Sequence, residues 1–374
     1  MSVTKAKGFK ANGLNCGIKR SKLDLALIAS DVPAVAAGVF TKSSVKAAPL
    51  IVTQRNLLKG KARAIVVNSG NANCFTGRFG FIYAKKTTEL FGKLLGIPAS
   101  EVVVASTGII GKPLPYNKIE AASEKIVKGL STKGDKKAAT AILTTDLKVK
   151  ESAKTVVLNG KKVTIGGCAK GSGMVAPNMA TMLGFITTDA AISAKMLKSA
   201  LAQANSESFN CVSVDGCMST NDMVVVLANG AAGNKKIVNQ GKDFKIFVKA
   251  LKEVCLSLAK EIVIDGEGAT KFIEINVQGA KNSIQARQVG LQIANSVLFK
   301  TAAFGKNPNW GRVAAAIGSL GIKELTEEKI RIRFSSFAKK EIVINVDLHN
   351  GSGVSKVYTC DLSYEYVRIN AEYN

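Results

Sequence analysis

The sequence predicts an α/β protein in which strands and helices alternate along the chain. Apolar residues make up 47% of the 374 residues and aromatic residues only 6%, which fits a globular interior built mainly from Ala, Val and Ile. Short runs of β-branched residues also alternate with longer segments whose apolar residues recur at helical spacing. A chain of this length exceeds one typical core, so we expect two or three subdomains.

Each element is predicted from a local pattern. Runs of valine and isoleucine indicate buried strands, and apolar residues three or four positions apart indicate helices. Asn159-Gly160 indicates a hairpin, because these residues tolerate the positive φ angles of a tight turn. In chain order we predict a strand at 64–67, a helix at 81–95, a strand at 101–105, a helix at 119–130, a hairpin over 155–165, a strand at 182–186, a helix at 191–207, a strand at 223–227, a helix at 243–261, a strand at 272–277, a helix at 286–303, and strands at 330–334 and 342–348. We expect polar loops at 68–73 and 106–111.

The composition limits the function classes. The net charge of +25 could serve nucleic-acid binding, but the lysines are spread along the whole chain and no helix-turn-helix, zinc-finger or stacked-aromatic motif is present. A basic binding protein without catalysis is therefore the alternative from another class. No stretch approaches ~20 consecutive apolar residues, so we expect no membrane span. The N-terminus lacks an apolar signal core, and we expect a cytoplasmic protein.

Cysteine and histidine usage argues against a metal site. The seven cysteines include no Cys-x-x-Cys pair, and reduced thiols fit this odd number. The single histidine, His349, lies in a polar glycine-containing segment that is typical of a surface turn. A zinc cluster is therefore not expected. The chemistry should also work without histidine as a general base.

The segment 170–181 is the strongest chemical signal. It places a hydroxyl residue, Thr181, where a glycine-rich loop containing Pro177 meets an apolar run. If the Ala180–Thr181 peptide were cut, Thr181 would carry a free α-amine beside its own hydroxyl. That amine titrates near pH ~7.7–8.0 and can accept the hydroxyl proton. The alternative is that Thr181 merely begins a strand, where threonine is common.

Two further loops carry suitable groups. In Ser106-Thr107-Gly108, a strand is expected to open into a glycine turn that aims a backbone N–H and a hydroxyl at one point. Such donors can stabilise the oxyanion of acyl transfer. Residues 264–271 place acids between glycines at a strand entrance. A capped turn or a metal loop would also explain them, although their spacing does not match an EF-hand.

Taken together, these segments resemble the ornithine acetyltransferase (glutamate N-acetyltransferase) family of arginine biosynthesis from end to end. Individually the short motifs are common, but their order along one chain is specific. The matching segments are 24–28, 36–41, 47–49, 67–73, 106–108, 169–174, 177–183, 219–222, 265–271, 308–312 and 360–364.

The resemblance implies a self-processing α/β sandwich with a smaller C-terminal α/β domain. The catalytic core would cover residues 1–274 and the smaller domain 275–374. The precursor would cleave itself between Ala180 and Thr181 into an α chain (1–180) and a β chain (181–374), which would assemble as a dimer of αβ pairs or larger. Such enzymes transfer acetyl from N²-acetylornithine to glutamate, and some also use acetyl-CoA. No metal or organic cofactor is implied, because the threonine carries the acetyl group.

The resemblance also implies roles for particular residues. Thr181 is the nucleophile, and Thr107 with Gly108 forms the oxyanion site. The implied substrate-contact residues are Thr181, Lys170, Glu267, Asn370, and one of Thr144 and Thr145.

The sequence departs from the family pattern in two places. It stops at Asn374, where the family continues to a terminal Thr or Ser, and it has Cys217-Met218 where an acidic-threonine pair is usual. Within the same mechanistic class, the alternative is a self-processing aminopeptidase or amidase, which would pass the acyl group to water.

Overall fold

The computed structural model describes residues 2–176 and 182–372. The chain divides into two compact units. Unit 1 comprises residues 1–171, 178–206 and 218–258, and unit 2 comprises residues 172–177, 207–217 and 259–374. Unit 2 includes two short segments from the middle of the chain, so the compact units are not continuous stretches of sequence.

Unit 1 contains two sheets and their flanking helices. The first sheet has the order β1-β2-β4-β5 and the second β3-β9-β8-β7-β6. The strands are β1 (Phe9–Leu14), β2 (Leu25–Ser30), β3 (Val35–Phe40), β4 (Ala64–Asn71), β5 (Val102–Ile109), β6 (Lys150–Leu158), β7 (Lys161–Lys170), β8 (Leu183–Thr188) and β9 (Met223–Ala228). The helices are α1 (Ala48–Asn56), α2 (Gly77–Leu95), α3 (Tyr116–Lys128), α4 (Asp135–Ala141), α5 (Ala194–Ser206) and α6 (Lys242–Ile264), which runs on into unit 2.

The two sheets of unit 1 share one hydrophobic core. Phe9, Ile28 and Ile65 of the first sheet join Phe185 and Val225 of the second in a single buried cluster. The opposite face of the first sheet packs against side chains of α1, α2 and α3. On the second sheet, α5 packs against β3 and β9. Unit 1 therefore has sheets stacked between helical layers, which confirms the predicted α/β sandwich.

Unit 2 has one sheet of order β11-β12-β10-β13, with a buried core between the sheet and α7 to α9. In β10 the apolar residues alternate with polar ones and point to that core, as expected for a sheet covered on one face. The elements are β10 (Phe272–Ala280), α7 (Ser283–Ala294), α8 (Val297–Phe304), α9 (Trp310–Gly318), β11 (Arg331–Phe334), β12 (Glu341–Asp347), β13 (Gly353–Cys360) and α10 (Tyr364–Ala371).

Several local predictions are confirmed, whereas one predicted helix and two predicted loops are wrong. The β6–β7 hairpin turns at Asn159 and Gly160, with φ angles of 47° and 73°. The helix predicted at 286–303 is two helices, because Ser296 caps α8 by accepting a hydrogen bond from the Phe299 N–H. Residues 106–109 and 68–71 are not loops but the paired ends of β5 and β4. Within the described residues, no helix is long and apolar enough to cross a membrane.

Candidate active site

The Thr107–Gly108 pair lies in the last part of β5, where β5 runs parallel to β4. Thr107 is buried, and Gly108 has a φ of +132°, which L side chains rarely adopt. A Cβ atom on Gly108 would lie 2.3 Å from the carbonyl carbon of Gly70 in β4. The two strands therefore approach so closely that only glycine fits. The expected turn is in fact a strand end, and its geometry still requires Gly108.

Polar side chains hold this strand end in place. Ser106 donates a hydrogen bond to the Asn68 side-chain oxygen at 2.5 Å. The Asn221 amide donates to the carbonyl oxygens of Ser106, at 2.8 Å, and Ala72, at 2.7 Å. Since these groups are buried, each bond satisfies a polar atom that water does not reach. The backbone directly before Thr107 is therefore fixed by the segment that leads into β9.

Lys170 is the last residue of β7 and is 3% exposed. Its ammonium group lies 3.4 Å from the Thr144 hydroxyl, so the structure brings together two of the predicted substrate-contact residues. The Asp146 carboxylate binds the backbone at Thr144 and at Gly171, the residue that follows Lys170. It accepts hydrogen bonds from the Thr144 N–H at 3.0 Å and from the Gly171 N–H at 2.7 Å.

Asp146 also forms a buried ion pair with Lys150, at 2.7 Å, in which both side chains are fully buried. Burial alone would raise the pKa of Asp146, but the positive charges of Lys150 and Lys170 hold that pKa below its ordinary value. The carboxyl group is therefore an anion between two ammonium groups.

Glu267 and Asn370 belong to unit 2. The Asn370 amide donates to Glu267 Oε2 at 2.9 Å. The Glu267 N–H donates to the Ser172 carbonyl at 2.8 Å, and the Glu267 carboxylate lies so close to Gly173 that a Cβ there would meet it at 2.2 Å. Two predicted substrate-contact residues are thus joined next to the segment that directly follows Gly171 in the chain.

Thr181 and Ala180 lie outside the described residues, as does Pro177. The next residue, Met182, is described and is buried. Its N–H donates to Asp222 Oδ1 at 3.0 Å, and its carbonyl accepts from the Met223 N–H at 3.3 Å. The chain immediately after Thr181 is therefore fixed at the start of β8.

The comparisons with known proteins decide the family. The ArgJ family model matches residues 10–339 and 335–374. The arginine biosynthesis bifunctional protein ArgJ of Geobacter sulfurreducens is 45% identical over 388 residues, covering 98% of this chain and 99% of the relative. Its namesake in Bacillus subtilis is 45% identical over 392 residues, covering 99% and 96%. This chain belongs to the ArgJ family.

Solved structures of ArgJ proteins are also similar to this chain. One is an arginine biosynthesis bifunctional protein ArgJ from Bacillus halodurans, 43% identical, with a TM-score of 0.47 over 48% of this chain and 95% of that one. Another is ornithine acetyltransferase from Mycobacterium tuberculosis in complex with ornithine, 41% identical, with a TM-score of 0.43 over 47% of this chain and 94% of that one. The family assignment rests on the sequence matches over the whole chain.

Sequence reasoning missed three buried polar residues that bind backbone groups beside predicted site residues: Asp146, Asn221 and Asp222. Each lies inside or beside a motif that was identified for another residue. A usable signal existed for Asp222, which stands directly before the apolar run of β9. A carboxyl group at the entrance of a buried strand must be paired or neutral, so it deserves a functional explanation.

The described residues contain no group of three or more His, Cys, Asp or Glu side chains that could hold a metal ion. His349 lies in an exposed turn with a φ of 42°, as predicted. The cysteines are free thiols, and burial raises the pKa of the Cys16 thiol to about 12. Cys16 therefore stays protonated near neutral pH and is a poor nucleophile.

Proposed function

We propose that this chain is an acetyltransferase of arginine biosynthesis that moves acetyl from N²-acetyl-L-ornithine to L-glutamate. The chain first cleaves itself between Ala180 and Thr181, and Thr181 then carries the acetyl group as an ester. The proposal rests on family membership over the whole chain. The observation that carries the chemistry is that β8 begins at Leu183, two residues after Thr181, and that Leu183 pairs with Lys170 at the end of β7.

The reaction proceeds in two transfers. The free α-amine of Thr181 takes the hydroxyl proton, and the oxygen attacks the acetyl carbonyl. Thr107 and Gly108 donate hydrogen bonds to the resulting oxyanion. The C–N bond then breaks, ornithine leaves with the proton on its α-amine, and an acetyl ester remains on Thr181. The amine of glutamate attacks this ester, releasing N-acetylglutamate and restoring the threonine hydroxyl.

Two charged residues suit the ends of the substrate. Lys170 suits an α-carboxylate, and Glu267, whose carboxylate accepts from the Asn370 amide, suits a substrate ammonium. The Thr144 hydroxyl, 3.4 Å from the Lys170 ammonium group, is a second group for binding the carboxylate. The threonine ester makes a metal or organic cofactor unnecessary, and acetyl-CoA is a second acetyl donor for the same ester. The cleaved α and β chains stay together as αβ pairs.

The test combines mass spectrometry with isotope transfer. Intact-mass analysis of the purified protein should find fragments 1–180 and 181–374, and Thr181→Ala should remain whole. With labelled N²-acetylornithine alone, fragment 181–374 should gain the mass of one acetyl group. Adding glutamate should move that label to N-acetylglutamate.

Two results would contradict this function. A wild-type chain that remains single after prolonged incubation would refute the nucleophile assignment. Release of labelled acetate at the same rate with and without glutamate would instead indicate the aminopeptidase or amidase alternative. Supplying labelled acetyl-CoA in the same assay measures the second donor activity directly.

A further inference from the structure

Lys19, in the loop that joins β1 to β2, has no role in the chemistry above. It is half-buried, and its N–H donates to Asp24 Oδ2 at 2.7 Å. Its ammonium group donates to the Leu23 carbonyl at 3.1 Å and also to the Leu143 carbonyl, which lies 124 residues away in the chain. Taking an ammonium group partly out of water costs free energy, so this long-range contact calls for an explanation.

The Leu143 carbonyl belongs to the peptide group that leads into Thr144. The N–H of the same peptide group donates to Asp146 Oδ2 at 3.0 Å. Because the C=O and N–H of a trans peptide point in opposite directions, Lys19 holds this group from one side and Asp146 from the other. The peptide cannot turn without breaking a charge-assisted hydrogen bond. The backbone of Thr144 is therefore fixed, with the Thr144 hydroxyl 3.4 Å from the Lys170 ammonium group.

The stem of Lys19 also contacts the strand end beside the predicted oxyanion site. Gly70 has a φ of +96°, and a Cβ atom there would lie 3.0 Å from Lys19 Cγ. Gly70 pairs with Gly108 across β4 and β5. Lys19 therefore links two predicted parts of the site, the strand end at Gly108 and the peptide before Thr144.

We infer that Lys19 is a positioning residue for the substrate-carboxylate site: its ammonium group fixes the backbone before Thr144 so that the Thr144 hydroxyl faces Lys170. The inference rests on the proposed function, in which Thr144 and Lys170 bind the α-carboxylate of the substrate. The positive charge of Lys19 also favours an anion at this place. Losing that charge should therefore weaken carboxylate binding.

The charge of Lys19 is one that pH can change. Burial lowers the pKa of Lys19 to about 8, and the charges of Lys22 and Lys170 act in the same direction. The charges of Asp24 and Asp146 oppose this shift. The ammonium group is therefore mostly present at pH 7 and mostly lost at pH 9. A neutral amine donates weaker hydrogen bonds, and by reciprocity a bound carboxylate should raise this pKa and take up a proton.

The test measures binding of δ-aminovalerate, which has the carboxylate and terminal ammonium of ornithine but no α-amine. Neither of its groups titrates between pH 7 and pH 9. Isothermal titration calorimetry of wild type should show a Kd that is roughly three- to tenfold higher at pH 9 than at pH 7. Lys19→Arg keeps its charge at both pH values, so its Kd should not change. Lys19→Met should bind roughly tenfold more weakly than wild type at pH 7, without this pH dependence.

Lys22→Met is the matched control, because it removes an exposed positive charge from the same loop and leaves the Leu143 contact intact. It should bind as wild type does at pH 7. At pH 9 it should lose less affinity than wild type, because the Lys22 charge helps to lower the Lys19 pKa. Other groups that titrate between pH 7 and pH 9 are shared with Lys19→Arg, so the difference from Lys19→Arg isolates Lys19.

Proton uptake gives a readout that a merely structural lysine would not change. Calorimetry at pH 8 in buffers of different ionisation enthalpy should show wild type taking up roughly a quarter to half a proton more than Lys19→Arg on binding. Melting temperatures identify a poorly folded Lys19→Met, and the comparison of wild type with Lys19→Arg then decides.

Two outcomes would overturn the role of Lys19. One is an equal Kd for wild type and Lys19→Met at pH 7, and the other is a wild-type pH dependence that Lys19→Arg reproduces. If wild type transfers acetyl from acetylornithine while these comparisons fail, only the inference about Lys19 is refuted. If wild type neither transfers acetyl nor binds δ-aminovalerate, the proposed function fails and the inference falls with it.

Discussion

Replacing Asp146 by asparagine should destabilise unit 1 far more than a comparable change at the surface. Asp146 and Lys150 form an ion pair at 2.7 Å with both side chains fully buried. Asparagine keeps the size of the side chain but removes the charge that compensates the Lys150 ammonium. It also leaves one of the bonds from Thr144 and Gly171 facing an amide NH₂ group rather than an oxygen.

The size of the effect follows from desolvation. Removing one partner of a buried ion pair typically costs about 3–5 kcal/mol, because the remaining charge is buried without its counter-charge. For a chain of this length, that loss should lower the melting temperature by roughly 4–6 °C. Replacing both residues, as Asp146→Asn with Lys150→Met, should recover most of the loss, because no charge is then left buried.

The chain supplies a matched control. Glu124 and Lys128 form an ion pair with the same i,i+4 spacing at 3.1 Å, but their side chains are 69% and 78% exposed. Glu124→Gln should change the free energy of unfolding by no more than ~0.5 kcal/mol. Urea and thermal unfolding of the three variants measure these differences. If Asp146→Asn and Glu124→Gln prove equally mild, the ion pair does not stabilise the fold and our reasoning from burial is wrong.

The pH dependence has a defined sign. The pKa of Asp146 is lowered in the folded protein, so its charge stabilises the fold above the unfolded-state pKa of ~3.9 and is lost as the pH falls through the folded value. The stability difference between wild type and Asp146→Asn should therefore be constant from pH 8 to about pH 5 and shrink below pH 4. A difference that grows on acidification would contradict the lowered pKa.

Three further predictions concern catalysis, with rates normalised to the cleaved fraction. Thr107→Ala should lower the rate of acetyl transfer by roughly 10²–10³-fold with little change in KM, because the Thr107 hydroxyl acts on charge present only in the transition state. An unchanged normalised rate would refute the oxyanion role. Glu267→Gln should raise KM for acetylornithine, whereas Glu253→Gln, which removes a surface pair with Lys154, should leave KM unchanged. Initial rates should give parallel double-reciprocal lines for acetylornithine and glutamate, and intersecting lines would indicate direct transfer.

The sequence predicted the elements whose information is local. The hairpin at Asn159-Gly160 and the strands at 183–188 and 223–228 follow from turn chemistry and from continuous apolar runs. Strands β1, β2, β3 and β13 were not predicted, and neither were α1, α4, α9 and α10. The burial patterns of β2 and β3 depend on partners distant in the chain, which no local period reveals.

Residues 106–108 show why local reading failed at the site. A Ser-Thr-Gly sequence is typical of a turn, yet these residues continue β5 because β4 offers a parallel partner. The glycine is needed for the close approach of Gly70 and not for a reversal of the chain. The chemical expectation for Thr107 and Gly108 was thus independent of the conformation assumed for them. Segment 207–217 belongs to unit 2, where Val212 bridges to Tyr358 in β13.

The residues predicted from the resemblance and those found only in the structure serve different purposes. Thr107, Lys170 and Glu267 are predicted to present groups to a substrate, and a motif can reveal them because their chemistry is distinctive. Asp146 and Asp222 accept hydrogen bonds from the backbone N–H groups of Gly171 and Met182. Both carboxyl groups are buried, so each must be compensated by specific partners and cannot be moved without loss. Because these partners are distant in the chain, no local pattern reveals them.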